Sequence, residues 1–399
     1  MRNWSNLFEL QEASQARWLA MEGLRGLAVT LVFFVHYSEL IEPLMGAAPG
    51  GVAWLNAIHE LGNSGVDLFF VLSGFLIYKA CIHRPLDLRR YAGRRFERIY
   101  PTFLVVLAFY IAIMLAAPST SKLPQGVGDQ LGYIGANLLL LPGMLDIQPI
   151  ITVAWSLSYE AFFYILAPLA VLALSMRGWK PWHRILFFVV IGIAMTVAAA
   201  AGYYGRYRAS MFLGGMVLYE IVYHLRDPDR ALLRNIPADI LALALLVFGV
   251  ACFTLLGETR WLIVGTPLDV LPPYAKFPIL NVVIVYLVFR CLFATGPASS
   301  VFSFAPLRWL GNMSYSYYLF HGFALQVFFT LVTPLVPASL QGVWLYPALL
   351  LPAFAASVIL STPLYLFVER PFSLVGEARG KGLLARLRIC FGPATTPRS

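Results

Sequence analysis

The sequence predicts an all-α, polytopic membrane protein of about ten transmembrane helices with both termini in the cytoplasm, and three observations predict it. Of its 399 residues 59% are hydrophobic and only 12% charged, about half the charge of an ordinary soluble domain. Several apolar segments exceed the roughly 18 residues that need a bilayer. With the N-terminus inside, every Lys and Arg except Lys122, Arg206, Arg208, Arg260 and Lys276 falls in an inner loop, an inner helix end or a tail, which is the positive-inside bias. The net charge of +9 is thus an orientation signal, and nucleic acid is not an expected partner.

Residues 1–20, with Trp4, Leu7, Phe8, Trp18 and Leu19, read either as an amphipathic arm on the inner surface or as a disordered leader. A cleaved signal peptide is not expected, because the first apolar run starts after twenty residues, holds Arg25 and His36, and ends without a small-residue cleavage site. Spans follow near 21–41, 61–80, 100–117, 154–175, 185–204, 208–224, 237–256, 277–295, 309–333 and 345–369. Within 118–153 the apolar stretch from Leu131 to Met144 is too short to cross, so it reads as re-entrant or interfacial. The outer loop 257–276, with Trp261, Pro267, Pro272, Pro273 and Tyr274, suits the wall of an outward-facing cleft. Glu369-Arg370-Pro371 reads as an inner helix stop with a local ion pair. Residues 21–372 form one membrane domain without an evident internal repeat, and 373–399 a basic cytoplasmic tail.

Chemistry is carried by the ionisable groups inside these spans. Arg25 and His36 are eleven residues apart on the first helix, three turns to within about 20°, so they share one face with His36 roughly 16 Å further along the axis. Each such group costs roughly 2.5–3.5 kcal/mol to insert, so it usually faces a polar interior. Glu22 belongs to the same stripe, about 40° off. His36 is a candidate general base, the one side chain whose ordinary pKa is near neutral; the alternative is a neutral packed histidine with Arg25 snorkelling inward. Asp67, within Gly65-Val66-Asp67-Leu68-Phe69-Phe70-Val71-Leu72-Ser73-Gly74-Phe75, and Glu160, within Trp155-Ser156-Leu157-Ser158-Tyr159-Glu160, each count to about 9 Å below the outer helix end. That depth matches His36, so either carboxylate is expected to orient the imidazole, as in a catalytic triad; the alternative for Asp67 is a helix-end residue near water. Arg95 and Arg98 share a helix face after the most basic inner loop; they read either as a basic cluster that only orients the helices or as a pair that grips phosphate. Ser73, Trp155, Tyr315 and His321, the last two from Ser314-Tyr315-Ser316-Tyr317-Tyr318-Leu319-Phe320-His321, are acceptor-binding or structural candidates, hydroxyls and a lone imidazole being common interhelical glue.

No metal site is expected. Cys81, Cys252, Cys291 and Cys390 show no CxxC spacing, the six histidines are dispersed, and His59-Glu60 lacks the second histidine of a zinc helix.

Together these segments resemble acyltransferase family 3, the integral-membrane acyltransferases that modify surface polysaccharides, lipo-oligosaccharides, peptidoglycan and some antibiotics. The resemblance covers almost the whole membrane domain and rests on the Arg25–His36 spacing, GVDLFFVLSGFLI, Arg95-x-x-Arg98 before Ile99-Tyr100-Pro101, WSLSYEAFFY and SYSYYLFH. It implies a ten-helix enzyme of the bacterial cytoplasmic membrane, in a stand-alone form without a fused extracytoplasmic hydrolase-like domain. Its co-substrate would be acetyl-CoA or another acyl-CoA, and its acceptor a hydroxyl of a carbohydrate-type molecule at the outer face. Carried over, it assigns Arg25 and His36 to the essential motif of the first helix and Arg95 and Arg98 to CoA binding; Glu160 and His321 fall in further family motifs. Direct transfer is expected, since no GxSxG is present and no cysteine lies near this layer; an acyl-histidine is the alternative. The rival function is a glycan or lipid-linked sugar transporter or flippase, which would also need a charged path. A structural scaffold explains poorly why Arg25, Asp67 and Glu160 all lie within spans.

Overall fold

A computed structural model of the chain describes residues 8–9, 16–46, 51–83, 85–118, 121–202, 207–224, 273–293 and 296–374. Most of the expected N-terminal arm, the span 237–256, most of the outer loop 257–276 and the basic tail beyond 374 lie outside the described residues. The helices are α1 (Ala16–Ile41), α2 (Gly51–Ile82), α3 (Leu88–Ala116), α4 (Val127–Leu138), α5 (Ala154–Ala173), α6 (Pro181–Ala200) and α7 (Ser210–His224). They continue with α8 (Pro273–Phe293), α9 (Pro297–Phe302), α10 (Ala305–Asn312), α11 (Ser314–Val332) and α12 (Leu345–Leu364), which runs into a π-helical segment, Tyr365–Leu374. No β-strand occurs among the described residues.

Seven of the described helices, α1, α2, α3, α5, α6, α11 and α12, are long and apolar enough to cross a membrane, and α8 contributes a shorter apolar stretch, Pro278–Phe293. The protein is a helical multi-pass membrane protein. Side chains such as Val197, Leu351 and Ile359 are exposed, as a surface solvated by acyl chains requires. The central element is α1, which packs along α2 and α10 and also touches α8, α9, α11 and α12. Between such helices water gives no apolar driving force, so close packing must hold them together, and small residues permit it. A Cβ on Gly65 of α2 would stand 2.4 Å from the Ala28 carbonyl oxygen of α1, and one on Gly215 of α7 2.0 Å from that of Val71 on α2.

Three local departures from regular spans matter for the site. First, α2 begins ten residues before the expected span, so its first turns extend past the position from which depth was counted. Second, the segment after α4 dips into the bundle. Leu140, Ile150, Ile151 and Val153 are buried, Asn137 Oδ1 accepts from the Ile150 amide at 2.8 Å, and Gly143 takes φ +86° where a Cβ would strike the Trp155 carbonyl oxygen at 2.5 Å. The 12-residue α4 itself cannot span a bilayer. As a result α5 starts inside the protein, with Ala154, Ser156, Leu157 and Ser158 all buried in its first turns. Third, the chain does not stop at Pro371 but coils on to Leu374 in π geometry, the wider turn that carries functional groups in many helices.

Candidate active site

Two polar layers lie along α1, about three turns apart; they are named inner and outer after the orientation expected from the basic loops. The inner one surrounds a cavity of about 130 Å³ lined by Arg25, Arg95, Arg98, Glu160, Tyr315 and Tyr318, among others. Arg25 donates from Nη2 to Ser314 Oγ at 2.8 Å. The i,i+3 spacing on α3 brings Arg95 and Arg98 to the same wall. The Arg95 guanidinium lies 5.4 and 5.2 Å from the ring centres of Tyr91 and Tyr164, and its buried Nε has no hydrogen-bond partner in the protein. Arg98 lies 5.6 Å from the Tyr315 ring centre and donates to Glu369 Oε1 at 3.2 Å. Glu160 Oε1 accepts from Ser73 Oγ at 3.1 Å and from the Tyr164 hydroxyl. Three guanidiniums thus meet one carboxylate on the wall, with Glu369 behind it, and a buried donor is left over. An anionic or strongly polar guest is what such a wall can bind.

The outer layer is built around His36. Its Nδ1 stands 2.9 Å from Glu39 Oε2, and the other carboxylate oxygen, Oε1, lies 3.0 Å from Nε2 of His59 on α2. From α11, the His321 ring centre is 5.2 Å from that of His36. His321 Nδ1 donates to the carbonyls of Tyr317 and Tyr318 at 3.0 and 2.8 Å, while its Nε2 is buried without a partner in the protein. Between the layers stands Tyr318, which lines the cavity and whose ring centre is 6.2 Å from that of His321; its hydroxyl is bonded to Ser156 Oγ at 2.6 Å and to the Val153 carbonyl at 3.1 Å.

This geometry corrects the expected single layer of His36, Asp67 and Glu160. Gly62 abuts Leu31 and Val35, and Gly65 abuts Ala28 and Leu31, so the antiparallel register sets Asp67 near Ala28, roughly 12 Å below His36. There it pairs with Arg208, whose Nε lies 2.6 Å from Oδ1 and Nη2 3.1 Å from Oδ2. Arg208 also donates to the Asn63 carbonyl and lies 5.3 Å from the Trp155 ring centre, so Trp155 packs on a cation. Glu160 joins Arg25 and not His36, because the sunken start of α5 carries it a layer deeper. Both depths had been counted from helix ends assumed to lie at the membrane surface. Of the remaining candidates, Ser73 is spent on Glu160 and the Tyr315 hydroxyl donates to the Ile99 carbonyl at 2.8 Å. Glu369 reaches Arg98 and, at 2.8 Å, the Ser316 amide, where a local pair with Arg370 was expected. Trp261 lies outside the described residues.

Glu39, His59, Arg208 and Glu369 are polar partners that the sequence reading did not assign. The i,i+3 step from His36 to Glu39 was a usable signal; the 141-residue separation of Asp67 from Arg208 was not. Among the described residues no group of three His, Cys, Asp or Glu is arranged to hold a metal ion.

Residues 18–366 match the protein family described as an acyltransferase domain. The exopolysaccharide production protein ExoZ of Rhizobium meliloti is 28% identical over 330 residues, covering 80% of this chain and 92% of that protein. The peptidoglycan O-acetyltransferase OatA of Listeria monocytogenes is 27% identical over 381 residues, 88% of this chain and 55% of OatA. The acyltransferase MdmB of Streptomyces mycarofaciens is 31% identical over 243 residues, 57% of each. The alignment thus spans little more than half of OatA and of MdmB. No solved structure matches the chain significantly.

Proposed function

The chain belongs to the acyltransferase domain family, and on that premise we propose that it moves an acyl group, acetyl in the simplest case, from a cytoplasmic acyl-CoA to a hydroxyl of a carbohydrate-type acceptor at the outer face of a bacterial cytoplasmic membrane. The observation that carries this reading is the joining, by one helix, of a cationic cavity at Arg25 to a carboxylate-bonded imidazole at His36. Relatives named for exopolysaccharide production and for peptidoglycan O-acetylation support a sugar acceptor, and the basic inner loops support a donor on the cytoplasmic side. The membrane domain is assigned to 21–372, with an arm before it and a basic tail after it.

In the mechanism, Arg95 and Arg98 hold the phosphates of the donor, and Arg25 lines the way of its thin arm past Glu160 and Tyr318. His36 then takes the proton of the acceptor hydroxyl on Nε2 as that oxygen attacks the thioester carbonyl. The carbon–oxygen bond forms, the carbon–sulfur bond breaks, and the sulfur leaves as thiolate to be reprotonated. Asp67, paired with Arg208, braces α2 against α7, and Glu160 orders the cavity wall.

The test uses purified full-length protein in lipid nanodiscs with acetyl-labelled acetyl-CoA and polysaccharide or peptidoglycan fragments. Stoichiometric label transfer with release of free CoA thiol is expected, and it disappears in His36→Ala. Undiminished transfer by His36→Ala overturns the assignment of the base; a thioester left intact while a glycan binds overturns the reaction.

A further inference from the structure

Which group prepares His36 is decided by hydrogen-bond direction. An ionised carboxylate only accepts, so the two imidazoles that face Glu39 must both donate to it. His36 therefore carries its proton on Nδ1, 2.9 Å from Oε2, and keeps its lone pair on Nε2. His59 likewise donates from Nε2 to Oε1, and its Nδ1 accepts from Asn63 Nδ2 at 3.4 Å. The chain from Asn63 through His59 to Glu39 runs in one direction and holds the second carboxylate oxygen.

The other carboxylates that the sequence brings forward are engaged elsewhere. Asp67 holds Arg208 and Glu160 sits in the inner cavity. Among the described residues the titratable neighbours of His36 are Glu39 on its own helix, His59 on α2 and His321 on α11; Tyr346 on α12 bonds Ser38, two residues along. His321 donates its only ring proton to backbone carbonyls, so it offers His36 a lone pair and no proton. Glu39 is thus the one anion of this set that touches the imidazole.

We infer that Glu39, held by His59, is the positioning residue of the acyl transfer: it fixes the tautomer that leaves Nε2 of His36 basic and stabilises the imidazolium formed when that nitrogen takes the acceptor proton. The inference rests on the acyl-transfer reading above. Because the Glu39 side chain is half exposed, solvent screens its charge, and its effect is about fivefold, well below that of a buried carboxylate.

The test combines two independent readouts on the full-length protein in nanodiscs. With 15N-labelled histidine, the resonances lost in His36→Gln identify His36, and their chemical shifts report its tautomer without any turnover. Glu39→Gln is expected to mix the tautomers, since an amide can donate as well as accept. In parallel, kcat for transfer of labelled acetyl from acetyl-CoA falls about fivefold with KM for acetyl-CoA changed less than twofold. His59→Ala gives a smaller loss in the same direction, and Glu39→Asp recovers part of it. An unmoved His36 tautomer ratio in Glu39→Gln overturns the proposal, as does a shifted ratio with unchanged kcat. Wild-type protein that leaves acetyl-CoA intact overturns the acyl-transfer reading and the role in proton abstraction with it, while the tautomer ratio still reads the Glu39–His36 coupling.

Discussion

The two ends of α1 are built on opposite electrostatic plans. At the inner end Arg25 sits in a closed space where guanidiniums are stacked on tyrosine rings and met by the wholly buried Glu369 and the part-buried Glu160, so positive charge is fixed by aromatic faces and ion pairs. At the outer end His36 is joined to Glu39 and His59, all partly exposed to solvent. The first arrangement resists reorganisation and suits a guest that always carries the same charge. The second is soft, two imidazoles and one carboxylate open to solvent, and suits a step in which a proton moves. Under the proposed function, one helix keeps donor binding and proton transfer about 16 Å apart.

The sharpest way to break that comparison is to remove the soft end alone. His36→Ala is expected to lower kcat by about 10²–10⁴-fold while acyl-CoA binding, measured by calorimetry, stays within twofold. Loss of donor binding in this variant would show that the two ends are one site. Next in size is Glu369→Gln, which strips the buried partner from Arg98 at the rigid end; breaking such a pair costs about 3–5 kcal/mol. Thermal unfolding in nanodiscs should show a marked fall in Tm, and an unchanged Tm would mean that the inner layer is not held by this pair. Arg95→Ala leaves the fold in place and is expected to raise KM for acyl-CoA about tenfold, by loss of about 1.5 kcal/mol of charge-assisted hydrogen bonding, with kcat at saturation little changed. Smallest is Tyr318→Phe, which removes the hydroxyl bonded to Ser156 and Val153 between the layers. About 1 kcal/mol of stability is lost, and slow hydrolysis of acetyl-CoA in the absence of acceptor is expected to rise.

The sequence carried the membrane class, the helix order and the inner cationic group, because hydropathy, charge asymmetry and the spacing of Arg25, Arg95 and Arg98 are local in the chain. Depth is not local. Asp67 and Glu160 were assigned to the layer of His36 by counting from presumed surface positions, and two events defeat that count: α2 extends beyond its apolar stretch, and the 139–153 segment carries the start of α5 inward. Glu39 was legible as a neighbour at i+3 of His36, yet its second partner, His59, lies on the next helix, and only the packing of α1 on α2 at Gly62 and Gly65 brings it into register. Pro371 misled in a different way: proline does not end the helices here, since Pro101, Pro168 and Pro352 lie inside α-helices just as Pro371 lies inside the π segment.

The place of Tyr318 has a physiological consequence under the proposed function. A protein that takes a charged donor from one side and an acceptor from the other would stand across a membrane that stores energy as a proton gradient. One tyrosine hydroxyl, anchored to Ser156 and to a backbone carbonyl, stands between the two polar layers beside the buried His321. Each turnover would then have to slip an acyl arm past this side chain without opening a wire for protons, so the cell's energy economy, as well as the chemistry, would bear on what stands at that position.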